Sequence, residues 1–239
     1  MTTKGGCYNN YASLEFLRSN LQGVQPNKRW IDIGITDAIE GRYVEMLSDH
    51  LQGENLFQVL FAGFSQPFYF EPVKWNSSEF FSGEVVWNLD LFSVVNNCKK
   101  AGFPEENIVV DVIMTTLSKL EHVDTRNFKS WQMIRRYLDI SSHYSMMDGL
   151  LRAKYGFPKV SFRHVITPQT ALPSNWYPMG TGYNLNSSQV DQAIKMGEQE
   201  AQKSIAGGQR RTNDLFHYWG LRRLRDERVD FLSLEEFIE

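Results

Sequence analysis

The chain has 239 residues, of which 42% are hydrophobic and 22% are charged, and its formal net charge is −3. These values are typical of a soluble globular protein with one substantial core, or of one domain with an appended tail. The weakly negative charge gives no electrostatic case for nucleic acid as the main ligand.

The cysteines and the apolar runs of the sequence indicate the cellular compartment of the protein. Cys7 and Cys98 are the only cysteines, and they form neither a disulfide framework nor a metal-ligand spacing. Residues 1–23 lack the apolar core of a secretion signal, and the apolar run 59–64 is too short to cross a bilayer. We expect an intracellular protein, cytoplasmic or organellar with the mitochondrion left open, that is not secreted. We expect no transmembrane segment, metal or cofactor.

The first predicted elements are a hairpin and a helix. Residues 31–36 alternate apolar and polar side chains, which predicts a half-buried strand. A turn at Glu40-Gly41 leads to a returning strand over residues 43–47. Helically spaced apolar residues then predict a helix over 56–63, which Pro67 ends.

The middle of the chain predicts two further strands around a long helix. Residues 107–115 (NIVVDVIMT) form a near-continuous β-branched run. Strands that are apolar on both faces belong in sheets covered on both sides, which indicates a layered α/β fold. Residues 130–155 have amphipathic helical spacing, with a candidate break near Ser141-Ser142, and residues 160–166 predict another strand.

The last third begins with a proline-rich loop, predicted over residues 168–183. Asn186 or Ser187 is suited to cap a helix that runs to about Ile205. Gly207-Gly208 is expected to end this helix and to mark a boundary.

The segment after Gly208 is an Arg-rich helical tail. Its candidate partner-binding residues are Trp219, Arg222, Arg223 and Arg225. Three interpretations stay open: a solvated helix that lies on its own domain, a helix that docks on a protein partner, and a helix that adsorbs to anionic lipid.

Three segments together resemble patatin-like phospholipases. They are IGITDAIEGRYV (33–44), AGFSQPFYFEPV (62–73) and SGEVVWNLDLFSVV (82–95). The second fits the family pattern A-S-x-S-x-P-x-x-F-x-P-V at six positions, and the third lies where the family has D-G-G-x-x-x-N. Two later runs, 106–114 and 140–153, are also similar to the family.

The resemblance implies a three-layer α/β/α patatin-like domain that is truncated at its N-terminal half. It covers roughly residues 30–206. Residues 1–29 would then be an N-terminal extension, and residues 207–239 the helical tail, a contact segment.

The resemblance also implies that the catalytic serine and aspartate of the family are not retained. Patatin-like enzymes need a Ser in G-x-S-x-G, an Asp as its base and a glycine-rich oxyanion loop. No G-x-S-x-G occurs here, and Ser82 stands at the Asp position, with Gly83 and Glu84 completing a degenerate motif. A hydroxyl cannot accept a proton at neutral pH as a carboxylate can, so no catalytic residue is predicted. Asp37 matches a Thr-Asp pair that is expected to be structural.

We therefore expect a non-catalytic patatin-like protein that serves as an accessory subunit of a larger protein assembly. One alternative is a protein that binds lipid without cleaving it, in a groove near Phe64, Ser65, Phe68 and Tyr69. Another is a lipid acyl hydrolase completed by a second chain, although Ser82 would still leave it without a base.

Overall fold

A computed structural model describes residues 6–8, 11–21, 23, 29–48, 51–170 and 186–227, with only the backbone of 7–8 and 222–227. The chain divides into two units, residues 1–94 and 95–239, and each is described by itself. Both units contain helices and strands, so the chain is of mixed α/β class, as the sequence predicts.

Unit 1 contains short strands and helices. In chain order these are β1 (Gly6–Tyr8), α1 (Tyr11–Leu21), β2 (Asp32–Asp37), β3 (Arg42–Leu47), α2 (Glu54–Phe64), β4 (Phe68–Phe70), β5 (Val73–Trp75), β6 (Ser78–Ser82) and α3 (Glu84–Trp87). The division between the units falls within α4 (Leu91–Lys100).

An antiparallel sheet of order β3-β2-β6-β5 organises unit 1, and β1 and β4 form a separate parallel pair. The predicted hairpin is confirmed, because β2 and β3 pair in register from Asp32 and Leu47 to Asp37 and Arg42. The predicted helix also forms as α2, which ends at Phe64, three residues before Pro67.

The core of unit 1 lies between α2 and one face of this sheet. Ile35 at the centre of β2 and Val59 of α2 are both fully buried, and Phe80 of β6 packs with them. The alternation of β2 explains the arrangement, because every second side chain faces the helix. The other face of β2 carries Asp32 and Gly34, which leaves a polar surface beneath α3.

Unit 2 is built on two parallel strands and two long helices. After a short 3₁₀ helix (Glu105–Asn107) come β7 (Val109–Ile113), α5 (Ser130–Gly156), β8 (Ser161–Ile166) and α6 (Ser187–Glu227). Strand β7 pairs with β8 in parallel, and α6 packs on β8. The two predicted strands and the two predicted helices are therefore confirmed.

Two details of the predictions for unit 2 are wrong. Strand β7 is buried on one face only, because Val110 and Val112 point inward while Val109 and Ile113 are 53% and 72% exposed. Composition alone could not show which face is covered. The candidate break near Ser141-Ser142 is absent, since α5 runs on through both residues.

Helix α6 starts and bends at residues that the sequence analysis singled out. Asn186 accepts a hydrogen bond from the Gln189 amide at 2.9 Å, and the Gln189 side chain accepts one from the Asn186 amide at 3.0 Å. This reciprocal pair caps the helix. Gly208 has φ 54° and ψ −152°, a conformation that suits only glycine, and it bends α6 where a helix end was predicted. Most of the predicted proline-rich loop lies outside the described residues.

Trp219, which the sequence offers as a contact residue, is fully buried in unit 2. Its indole nitrogen donates to the Ser118 carbonyl oxygen at 2.9 Å, and its ring packs edge-on against Phe216, which in turn meets Phe162. The indole therefore stabilises the unit and is not offered to a partner. The side chains of Arg222, Arg223 and Arg225 lie outside the described residues.

We predict that Trp219→Ala lowers the free energy of unfolding of unit 2 by about 3–5 kcal/mol, because it leaves a cavity and an unpaired carbonyl. Trp219→Phe should cost less. The control is Leu221→Ala on the same helix, where the side chain is 55% exposed and the change should be within about 0.5 kcal/mol. Urea unfolding followed by circular dichroism measures all three, and equal losses for Trp219→Ala and Leu221→Ala would contradict the packing role.

Candidate functional site

The degenerate motif lies where β6 ends against β2. Ser82 is the last residue of β6 and is buried. Its amide donates to the Ser65 carbonyl oxygen at 2.9 Å, and its own carbonyl oxygen accepts from the Thr36 hydroxyl at 3.1 Å. The Ser82 hydroxyl accepts a long 3.4 Å hydrogen bond from the Glu84 amide. These contacts join β6, β2 and the end of α2.

Two glycines and a tyrosine set the shape of this junction. A Cβ atom on Gly83 would lie 2.6 Å from the Gly34 carbonyl oxygen, so no larger residue fits at position 83 without movement of the backbone. A Cβ atom on Gly34 would lie 2.0 Å from the Tyr43 hydroxyl. The phenol therefore occupies the space above Gly34, and its ring lies 5.6 Å from that of Trp87. The match of Gly83 to the family motif thus has a steric reason in this fold.

Glu84, the first residue of α3, is the carboxyl group nearest in sequence to Ser82. Burial raises the pKa of the Glu84 carboxyl, and a hydrogen bond with the Gln66 side chain opposes that shift. The carboxyl group is therefore held by Gln66. It shares no side-chain hydrogen bond with the Ser82 hydroxyl in the described residues.

Two of the proposed lipid-groove residues, Phe64 and Ser65, lie at the end of α2, and the other two, Phe68 and Tyr69, lie in β4. Ser65 is fully buried, and its hydroxyl donates to the Phe61 carbonyl oxygen at 2.8 Å. This bond closes the last turn of α2 with a side-chain to backbone contact. Phe64 and Phe68 are exposed, and the Phe68 ring meets that of Tyr69 edge-on at 5.4 Å.

Sequence reasoning missed a serine–carboxylate contact in another part of unit 1. The Ser78 hydroxyl donates to Asp37 Oδ1 at 2.7 Å. The same oxygen accepts the amides of Ile39 and Glu40 at 3.0 and 3.1 Å. The Glu40 amide and the Ser78 hydroxyl hold the pKa of the Asp37 carboxyl below its usual range. Asp37 thus holds the β2–β3 turn, the structural role expected of the Thr-Asp pair.

An open pocket of about 360 Å³ adjoins this contact, lined by Ile39 and residues 74–79. Asn76 and Ser77 have φ values of 48° and 63°, as a tight two-residue hairpin requires. The Asn-Ser dipeptide between short strands is the feature of the sequence from which this turn could have been predicted. Ser78 follows directly from it.

A second group of polar side chains lies on the face of the sheet beneath α3. Burial first, and then the Glu45 and Asp90 carboxylates, raise the pKa of Asp32 to about 7. Burial and the Asp90 and Asp32 charges also raise the pKa of Tyr43. Asp90 caps α4 by accepting the Ser93 amide at 3.0 Å. Like charges here favour the protonated form of Asp32.

Histidine and metal chemistry are not evident in the described part of the chain. The described residues of unit 1 contain no histidine. In unit 2 the buried His143 ring nitrogen lies 3.0 Å from the Leu117 carbonyl oxygen, a contact within the fold. No group of three or more metal-ligating side chains occurs among the described residues.

Comparison with known proteins does not extend these observations. No protein-family model and no curated protein sequence matches the chain. The resemblance to patatin-like phospholipases therefore rests on the sequence motifs and stays a prediction. Among the described helices, none combines the length and the apolar character that a bilayer crossing needs.

We predict that Gly83→Ala destabilises unit 1 by about 1–3 kcal/mol, because the new methyl group meets a backbone carbonyl that cannot turn aside. The matched control is Gly63→Ala in α2, where a Cβ atom would lie at an ordinary 3.5 Å from Ile33. This control should stabilise by about 0.5–1 kcal/mol. Thermal unfolding measures both, and a neutral Gly83→Ala would contradict the close contact.

We also predict a pH dependence from Asp32. The folded pKa of about 7 lies above the unfolded value of about 4, so the contribution of Asp32 to stability is full below pH 4 and is lost as pH rises through 7. Asp32→Asn should remove this loss and stabilise unit 1 above about pH 7 by on the order of 1 kcal/mol, reduced by solvent exposure.

Hydrogen exchange of the β2 and β3 amides measures this effect within unit 1. Wild type and Asp32→Asn are compared at the same pH, so that the intrinsic exchange rates cancel. The variant should be better protected above pH 7, and the difference should vanish near pH 4. A difference that does not change with pH would show that the carboxyl group keeps its ordinary pKa.

Proposed function

We propose that this chain is a non-catalytic, patatin-like accessory subunit of a larger protein assembly. The observation that carries the proposal is that Ser82 stands where a base is needed, while the Ser65 hydroxyl donates to a backbone carbonyl and the Ser78 hydroxyl to a carboxylate of lowered pKa. A chain that retains packing motifs without reactive groups has the properties of a scaffold.

In the described part of the chain, Ser82 lacks the neighbouring groups that acyl transfer needs. A nucleophilic hydroxyl needs a base within hydrogen-bond reach and amides that converge on the developing oxyanion. Ser82 instead accepts the Glu84 amide, and its own amide is bonded to the Ser65 carbonyl. A second chain that supplied a nucleophilic serine would still not provide the base at the position of Ser82.

Ser78 and Asp37 come nearest to a serine–carboxylate dyad, and three features argue against that role. The lowered pKa makes Asp37 a weak base. The Ile39 and Glu40 amides, which could stabilise an oxyanion, already donate to Asp37. Ser78 lies in a β-hairpin, not on a sharp strand-to-helix turn. The pair is better explained as a contact that stabilises the turn of the β2–β3 hairpin.

The exposed side of the β7–β8 pair supports the accessory role. Parallel strands normally lie in sheets that are covered on both faces. Here the described sheet of unit 2 has only two strands, and Val109 and Ile113 are exposed on one face. A partner protein that covers this face would bury apolar surface and protect the strand edges.

Lipid binding without cleavage is the second candidate. It is favoured by Phe64, the last residue of α2, and Phe68, the first of β4, which are 62% and 59% exposed. Exposed aromatic rings of this kind are suited to contact an acyl chain. Recovery of acyl lipid from the native protein, lost in a Phe64→Ser/Phe68→Ser variant, would favour this candidate over the first.

We predict that the tagged chain migrates on native gels of extracts from its own cells as a complex far larger than a monomer. Val109→Glu/Ile113→Glu should shift most of the chain to the monomer position, because charges would be buried at the contact.

The matched control is Val190→Glu/Ile194→Glu on α6, where the residues are 42% and 55% exposed. This control should leave the complex intact. A wild-type chain that is monomeric in these extracts would refute the accessory role. Equal dissociation by both variants would refute the assignment of the contact to β7.

A further inference from the structure

The first three turns of α5 carry a broad apolar surface. At 3.6 residues per turn, six side chains fall into two adjoining stripes, spaced i, i+3, i+7 and i, i+4, i+7, that cover about half of the helix circumference. We name this surface the α5 arc. Its members are Trp131, Met133, Ile134, Tyr137, Leu138 and Ile140.

The α5 arc is exposed, unlike the rest of the helix. Ile134 and Tyr137 are 60% and 67% exposed, and no described residue before His143 in α5 is buried. The buried residues of α5 all lie between His143 and Ala153. The second half of α5 therefore anchors the helix in unit 2, while the first half presents apolar side chains to the surroundings.

The polar side of the same turns contacts the preceding loop at Arg136. Arg136 donates to the Glu121 carbonyl oxygen at 2.9 Å, and the Arg135 guanidinium pairs with Asp139 at 3.0 Å. Arg135 and Arg136 are less exposed than the members of the α5 arc. The polar side is therefore tied to the preceding loop at one residue, while all six members of the arc are exposed.

Charge around the arc is unbalanced. Lys129, Arg135 and Arg136 accompany a single carboxylate, Asp139, between residues 129 and 142. On the helical projection, Lys129 and Arg136 border one edge of the arc and Arg135 borders the other. Cations on both edges of a wide apolar surface are typical of helices that lie in the interface of an anionic membrane.

We propose that the α5 arc docks unit 2 on an anionic lipid surface. The apolar side chains enter the boundary between headgroups and acyl chains, and the tyrosine and tryptophan rings lie at headgroup level. Lys129 extends to lipid phosphates at one edge of the arc, and Arg135, which pairs with Asp139, borders the other. The helix lies on the membrane and does not span it.

The charges disfavour a second copy of this chain as the occupant. In an antiparallel pair of identical helices, each edge of the arc meets the same edge of the other copy. Lys129 and Arg136 would then face Lys129 and Arg136, with no carboxylate on that edge. The arc is also wider than the narrow seam that a helix pair requires.

The test is cosedimentation of the full chain with vesicles. We expect binding to vesicles of phosphatidylcholine mixed with phosphatidylserine, and weaker binding to phosphatidylcholine alone. Ile134→Glu/Leu138→Glu should lower the partition coefficient at least about ten-fold, because it places two charges in the apolar layer. Lys129→Gln should lower binding to the anionic vesicles by up to about five-fold.

The matched control is Ile194→Glu/Leu221→Glu on α6, where both side chains are 55% exposed. It changes the net charge equally and should reduce binding much less. All variants are first compared with wild type by thermal unfolding, and because the substituted side chains are exposed, the folds should persist.

Three results would overturn the proposal. One is a wild-type chain that binds neither kind of vesicle. Another is an equal loss of binding in the control variant. The third is a dimer, seen by light scattering without vesicles, that the Ile134→Glu/Leu138→Glu variant breaks while vesicle binding is absent, which would assign the arc to a second copy.

Discussion

The backbone of Gly83 lies against the carbonyl of Gly34, and the Tyr43 phenol fills the space above Gly34. This contact holds the end of β6 on β2 at a distance that only glycine permits at position 83. It also fixes what the neighbouring residues can do. Ser82 is directed into the junction, and Glu84 begins α3 at a place where burial raises the pKa of its carboxyl.

Three hydroxyl groups of unit 1 stabilise this arrangement through hydrogen bonds. Ser65 ends α2, Thr36 bonds the end of β6, and Ser78 holds Asp37 in the turn of the β2–β3 hairpin. Each bond ties together backbone segments that would otherwise bury unsatisfied groups. Ser65 and Thr36 donate to backbone carbonyls, which cannot take up their protons, and Ser78 donates to Asp37, whose lowered pKa makes its carboxylate a weak base. This use of polar side chains supports the proposed non-catalytic role.

Local signals in the sequence predicted the hairpin, the long helices and the strands of unit 2, but not α1, α4 or the short strands β4 to β6. Contacts between distant residues were not predicted. The alternation in residues 31–36 and the Asn186 cap act over a few residues, and both appear as expected. The Ser78–Asp37 bond joins residues 41 positions apart, and the Trp219–Ser118 bond spans 101. The periodicity of apolar residues along the sequence cannot predict hydrogen bonds between such distant residues. Likewise, the β-branched run of β7 indicated a strand correctly, but which of its faces is covered depends on the helices that pack against it.

A non-catalytic role requires that none of the serines in the described part of the chain is activated as a nucleophile. The direct measurement is the intact mass of the folded full chain after incubation with a fluorophosphonate, which labels serines activated as nucleophiles. Our account predicts no adduct under conditions in which an active serine hydrolase is labelled completely. Stoichiometric labelling of Ser65, Ser78 or Ser82 in the folded protein, absent after denaturation, would contradict it.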